Sequence, residues 1–221
     1  MPDPPPRRCI CDQDFERLFD EEEAAGDLDK WRRLGPPDAT QELIDVLRGE
    51  GVEGAAVLDI GAGVGIVHLE LLAAGAARAV DVDWSTAFLA TARAEAERRG
   101  VGDRVEHRFG DVVDLAPGLP RADIVALDRV ICCYPDLLAL LGAAVSTGPR
   151  LIGLVHPNDA WWSRVSAAAF NAFDRLLRRH HSFYVHRRTA IDAVLRESGF
   201  TQRHRGGSRY WKVSVYARSE A

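Results

Sequence analysis

The feature that most constrains this chain is a run of glycines between an apolar segment and an apolar helix pattern. Residues 57–69 read VLDIGAGVGIVHL, with Gly61, Gly63 and Gly65 at alternate positions. Alternate glycines weaken a helix or a strand, because glycine loses more backbone freedom on ordering than any other residue. They suit a tight turn that leaves a strand and enters a helix. There the bare backbone can lie directly against a ligand, and the unpaired amides of the helix start face something polar. Taken alone, the run fits a plain βα turn equally well.

The surrounding pattern narrows the choice. Short apolar runs at residues 55–60, 77–82, 105–109, 123–127 and 151–155 alternate with helical patterns at 66–74, 85–99 and 137–145. Fully apolar strands alternating with helices predict βαβ units and a parallel sheet covered on both faces. A long helical pattern follows at 159–179, and another at 189–198 stops at Gly199. The tail breaks the rhythm. Residues 200–205 and 210–217 are extended, and the few residues between them include Gly206 and Gly207. That gap is too short for a parallel crossover and predicts an antiparallel hairpin. Ahead of the sheet lie helical patterns at 15–25, 28–34 and 40–48, after a proline-rich leader of disordered composition. The expected division is 1–37 for leader and cap helices and 38–221 for the main domain.

Composition sets outer limits. A chain of 221 residues with 47% hydrophobic content fills one core. No apolar run approaches the ~20 residues that cross a bilayer. The start, MPDPPPRRCICDQDF, lacks the apolar stretch of a signal peptide, so a cytoplasmic location is expected. A net charge of −5, with 26 scattered arginines against 2 lysines, argues against broad nucleic-acid binding. The cysteines pair as Cys9/Cys11 and Cys132/Cys133, neither in CxxC spacing, and His180, His181 and His186 stand at no zinc-finger spacing from them. Reduced thiols and no metal centre are expected.

The glycine run reads GxGxG, with Ile66 where a dinucleotide fingerprint places its last glycine. Asp59, two residues before Gly61, is expected to set a negative charge beside the ligand, which repels a pyrophosphate and suits an ammonium or a sulfonium. Asp83 stands 22 residues after Gly61 at the second strand tip, where a carboxylate can accept both hydroxyls of a ribose. Trp84 follows and can lie against an adenine ring. Asp81, deeper on the same strand, reads as an ordinary polar residue. At the third tip, Gly110, Asp111 and Val112 offer a carboxylate to an adenine amino group. Acids at neighbouring carboxyl ends of strands lie where open α/β sheets bind their ligands.

These residues resemble the class I S-adenosylmethionine-dependent methyltransferases. VLDIGAGVG resembles that family's first motif, AVDVD the strand-two motif with its ribose acid, FGDVV the adenine-contacting motif, and ADIVALDRV the fourth-strand motif bordering methionine and substrate around Asp128. The resemblance spans about residues 38 to 217. It implies an α/β, Rossmann-like fold with a seven-stranded, mostly parallel sheet, the last strand antiparallel and helices on both faces. It also implies S-adenosyl-L-methionine as cofactor, with Asp59, Gly61, Ala62, Gly63, Gly65, Asp83, Trp84, Gly110, Asp111, Val112 and Asp128 around it.

The sulfonium already activates the methyl group, so the protein has to align an acceptor and remove a proton. Asp128, Arg129 and Tyr134 in LDRVICCYPD are expected at or near the pocket rim, and the candidates for that work are Asp128, Tyr134 and His156 at the end of strand five. The plainer reading of His156 is a hydrogen-bonded structural residue. Trp161 and Trp162 either pack a helix or line a pocket for a flat, apolar acceptor, and Tyr184 and His186 form a third group with a structural alternative. ALDRVICCYPD, the later FYVH with its helix ending ESGF, and the early DLDKWRRLG are similar to magnesium-protoporphyrin O-methyltransferases, which methylate a tetrapyrrole propionate. In that pattern a histidine precedes the Tyr-Pro pair, where this chain has Cys133, and a thiol does not replace imidazole proton chemistry at neutral pH. The expectation is therefore a methyltransferase acting on a small molecule, at oxygen, on a tetrapyrrole carboxylate or another natural product. The alternatives are a cofactor-binding module that no longer transfers methyl groups, and a nicotinamide oxidoreductase, which Asp59 and Ile66 disfavour.

Overall fold

The computed structural model describes residue 16, residues 18–176 and residues 182–219. The leader, Cys9, Cys11, His180 and His181 lie outside the described residues. Seven strands form one sheet: β1 (Ala56–Ile60), β2 (Arg78–Asp83), β3 (Val105–Phe109), β4 (Ile124–Asp128), β5 (Leu151–Pro157), β6 (Phe200–Gly207) and β7 (Trp211–Arg218). Their order is β3-β2-β1-β4-β5-β7-β6, with β7 antiparallel to both neighbours and the pairs from β3 to β5 parallel. The strand order reverses between β1 and β4, which opens a crevice at the carboxyl ends of the strands.

The helices are α1 (Glu21–Leu34), α2 (Asp38–Gly49), α3 (Ile66–Ala73), α4 (Thr86–Arg98), α5 (Val112–Leu115), α6 (Leu137–Ser146), α7 (Trp161–Leu176) and α8 (Arg188–Glu197). Their starts carry side-chain caps where the sequence supplies them. Asp20 accepts from Glu23 N at 3.0 Å, Ser85 from Phe88 N at 3.2 Å and Asp136 from Ala139 N at 2.9 Å. Two cores sandwich the sheet. One joins α1 to α4 through Trp31, Leu43, Leu47, Leu69 and Phe88. The other joins α6 and α8 through Leu140, Leu141, Ile191 and Leu195. Gly153 on β5 lets α2 approach, since a Cβ there would meet Leu43 Cδ1 at 2.6 Å.

Phe19 and Asp20 are not helical, while residues 21–25 of the first pattern join the piece at 28–34 in one helix, α1, that runs through Gly26. Its second half is tied down by charge. Glu95, buried on α4, accepts from Arg32 at 2.6 Å, Arg98 at 2.7 Å and Arg99 at 2.8 Å, and these partners hold its carboxyl far below the usual range. The Arg99 guanidinium also stacks 4.2 Å over Trp31. Among the described residues, no helix is long and apolar enough to cross a membrane.

Candidate active site

A cavity of about 350 Å³ opens at the strand tips, within the usual range for small-molecule sites. Its floor is the glycine loop. Gly61, Gly63 and Gly65 have φ of 61°, 58° and 86°, in the left-handed region that side chains disfavour. A Cβ on Gly61 would collide with the Val130 side chain. Gly61, Ala62 and Gly63 line the cavity. Gly65 does not. It caps α3, and a Cβ there would lie 2.8 Å from His68, so the turn itself requires glycine.

Asp83 ends β2 with both oxygens held. Oδ2 accepts Gly63 N at 2.9 Å and Oδ1 accepts Ser85 N at 2.9 Å. Burial raises its pKa to about 6 against the pull of those amides. A carboxylate has about four lone-pair sites, so acceptor capacity remains for a ligand. Trp84, Gly110, Asp111 and Val112 line the same side. Asp111 caps α5 by accepting Val113 N at 2.8 Å, and Tyr134 Oη donates to its two oxygens at 3.0 and 2.9 Å. Two expected site residues are thus bonded to each other, with Tyr134 already donating. On the opposite side, Asp128 ends β4. Its Oδ2 accepts Thr40 Oγ1 at 2.7 Å, and burial raises its pKa.

Two expectations are corrected. Asp59 does not line the cavity. It is fully buried under the loop, where Oδ2 accepts His68 N at 3.2 Å and faces His68 Nδ1 at 3.0 Å. On β1 it shares the face of Val57, toward α3, while Ile60 on the other face reaches the cavity. His156 is 1% exposed, with Nδ1 near Pro157 O at 3.0 Å and Nε2 near Ser214 Oγ at 3.2 Å. It does not line the cavity, and burial lowers its pKa, so it is the hydrogen-bonded structural residue. Trp161 and Trp162 do not line the cavity either: Trp161 is exposed, and Trp162 packs edge-on against Tyr210 at 5.6 Å.

Tyr184 and His186 act on the wall from behind. Tyr184 N donates to Cys132 O at 2.7 Å, and His186 Nε2 lies 2.8 Å from Tyr134 O. Cys133 lines the cavity beside Tyr134. The individual residues of the roof were not singled out in the sequence. Phe19, just ahead of α1, and Glu23 and Asp27 on α1 close one side, Trp211 closes another, and Arg129 and Val130 complete the rim. Glu23 and Asp27, four residues apart on one face of α1, were the available signal. Among the described residues, no group of three or more His, Cys, Asp or Glu is arranged to hold a metal ion.

Residues 57–146 match the methyltransferase domain family. The ribosomal protein L11 methyltransferase of Edwardsiella ictaluri (strain 93-146) is 31% identical over 137 residues, 51% of this chain and 47% of its own. That of Pseudomonas paraeruginosa (strain DSM 24068 / PA7) is 30% identical over 175 residues, 67% and 54% respectively. The chain spans about half the length of the curated relatives it matches. Magnesium protoporphyrin IX methyltransferase from Synechocystis PCC 6803 with bound SAH superposes with a TM-score of 0.68 at 20% identity, covering 92% of this chain and 99% of that one. An O-methyltransferase family protein from Burkholderia thailandensis gives 0.68 at 20%, covering 93% and 63%. At such identities the likeness concerns the fold.

Residues 57–146 carry a methyltransferase domain sequence, and the sheet has the topology of the class I S-adenosylmethionine-dependent methyltransferase fold. S-Adenosylmethionine is the cofactor of that class, and the cavity fits it: bare backbone along Gly61–Gly63, a carboxylate with spare lone pairs at Asp83, and aromatic surface at Trp84 and Phe88.

Proposed function

We propose that this protein transfers the methyl group of S-adenosylmethionine to an oxygen of a small molecule, with a carboxylate oxygen, such as that of a tetrapyrrole, the best-fitting acceptor. When bound, the cofactor supplies an already activated methyl. On this reading Asp83 accepts the ribose hydroxyls, Asp111 and Trp84 with Gly110 and Val112 hold the adenine, and Gly61, Ala62, Gly63 and Asp128 hold the methionine part. Tyr134 works through Asp111, orienting its carboxylate.

The observation that carries the small-molecule reading is the roof. Phe19 packs edge-on against Phe88 at 5.8 Å, its carbonyl accepts Ser85 Oγ at 2.6 Å, and Glu23 and Asp27 extend the cover. A roofed cavity admits a small acceptor more readily than a folded protein. The carboxylate reading rests on the proton. Among the described residues that line the cavity there is no histidine or lysine. A carboxylate is already ionised near neutral pH and needs no base, whereas an alcohol does. Trp211, and not the tryptophans of α7, is the aromatic wall for a flat acceptor.

A protein acceptor is the second reading, favoured by the relatives named ribosomal protein L11 methyltransferase. Incubation with methyl-labelled cofactor separates the readings when magnesium protoporphyrin, simpler aromatic carboxylic acids and ribosomal protein are offered in parallel. We expect label in a solvent-extractable, base-labile ester. Label in protein supports the second reading. Cofactor binding without any transfer supports a module that acts through partners.

A further inference from the structure

The residue after Asp128 departs from ordinary backbone. Arg129 has φ of 60°, the described non-glycine residue in the left-handed region. That conformation costs an ordinary side chain free energy, and such outliers persist where the surroundings fix them. Arg129 N donates to Val155 O at 3.0 Å, which holds the residue at the junction of β4 and β5.

The conformation has a geometric result. Consecutive residues on a strand point to opposite faces. Asp128 and Arg129 are consecutive, yet both line the cavity, because the chain turns at Arg129 as it leaves β4. Their charged groups lie 3.4 Å apart, Arg129 Nε to Asp128 Oδ1. Among the described residues that line the cavity, Arg129 is the cation, facing Glu23, Asp27, Asp83, Asp111 and Asp128.

Position tells which anion it serves. Asp83 and Asp111 stand on the β2 and β3 side of the glycine loop. Val130, next to Arg129, packs against Gly61 from the β4 side. With the adenosine over β2 and β3, the amino-acid end of the cofactor falls over β1 and β4. That end is a zwitterion, with one ammonium and one carboxylate on a single carbon. A carboxylate and a guanidinium on adjacent residues form its complement, and guanidinium–carboxylate pairs are strong when bidentate.

We propose that Arg129 is the residue that binds the α-carboxylate of the cofactor, with its left-handed backbone placing the guanidinium beside Asp128 to match the zwitterion. This inference rests on the cofactor reading above. The backbone strain serves ligand binding, so glycine at this position keeps the turn and loses the clamp.

The test uses the whole chain and two probes: S-adenosylhomocysteine, and its analogue lacking only the α-carboxylate, 5′-(3-aminopropylthio)adenosine. Calorimetric titration of the wild type should favour the carboxylate-bearing probe at least ~10-fold. Arg129→Gln should weaken S-adenosylhomocysteine by about that factor and leave the analogue within about two-fold, which removes the discrimination; Arg129→Lys should restore part of it. Arg129→Gly should show the same binding loss with an unfolding midpoint equal to or above the wild type, which guards against a folding artefact. Equal weakening of both probes, or no weakening of either, overturns the assignment. If the wild type binds neither probe, the cofactor reading itself fails.

Discussion

Two rows of carboxylates cross the same sheet and differ in what closes them. Asp59, Asp81 and His107 lie in lateral register across β1, β2 and β3. In this deep row each acid meets a histidine, Asp59 with His68 at 3.0 Å and Asp81 with His107 at 2.8 Å, and neither acid has accessible surface. Burial raises the Asp81 pKa well above the usual range. In the tip row, Asp83, Asp111 and Asp128 accept from backbone amides and hydroxyls, and all three border the cavity. Asp81 and Asp83 sit two residues apart on one strand and one face. Distance from the strand end alone decides which acid is locked into the fold and which keeps lone pairs for a ligand.

That contrast can be broken by substitutions that separate stability from binding. The largest effect should come from the deep row. Asp59→Ala leaves the His68 ring and amide without their acceptor and should lower unfolding stability by about 3 kcal/mol in urea titrations, since orphaning buried partners is costly. At temperatures where the variant is folded, its S-adenosylhomocysteine affinity should stay within about three-fold, as Asp59 does not touch the cavity. Asp83→Ala should do the reverse and weaken the same ligand at least ~10-fold with the unfolding midpoint kept. If either variant behaves like the other, the two rows are not distinct.

The pH dependence sharpens the same contrast. The folded pKa of Asp83 is about 6, above its usual 3.8. Its contribution to the stability of the unliganded protein is therefore full below about pH 4 and lost as the pH rises through about 6. A ribose needs the ionised form, so affinity moves oppositely. Binding at pH 5 should be about 10-fold weaker than at pH 8, and the rise in melting temperature given by saturating S-adenosylhomocysteine should be larger at pH 8. A pH-independent affinity over that range would remove Asp83 from the ribose.

The sequence made the tip row legible and blurred the deep one for a physical reason. In β1 every residue is buried, so the alternation that tells inside from outside on a half-exposed strand carries no signal, and Asp59 read as a rim residue. The same loss of contrast misplaced His156, because all of β5 is buried. The strands were readable from apolar runs and the terminal hairpin from Gly206-Gly207, while the seven-stranded sheet with its antiparallel last strand was what the family resemblance implied. The residues that form the roof were not readable, because the seat of α1 depends on tertiary pairs such as Arg32 with Glu95, 63 residues apart. Nor was the backbone of Arg129, since arginine gives no sequence sign of a left-handed conformation.

Smaller effects test these corrected regions. His156→Asn should leave kcat within about three-fold while lowering stability, because the imidazole bonds within the sheet and not to the acceptor. A loss above a hundred-fold with intact folding would return it to the chemistry. Arg32→Ala removes one of three arginines on Glu95 and should speed cofactor release only two- to three-fold in stopped-flow experiments, the scale of a partly exposed ion pair. No change would mean the roof is held by packing at Trp31 and Phe19 alone.

The central claim is that the glycine loop and tip acids seat an amino-acid-bearing adenosine ligand and not a dinucleotide. Calorimetric titration of the wild-type protein with S-adenosylhomocysteine and, separately, with NAD⁺ tests it most directly. The account predicts a single saturable site for S-adenosylhomocysteine and none for NAD⁺. Saturable NAD⁺ binding that S-adenosylhomocysteine fails to displace would contradict it.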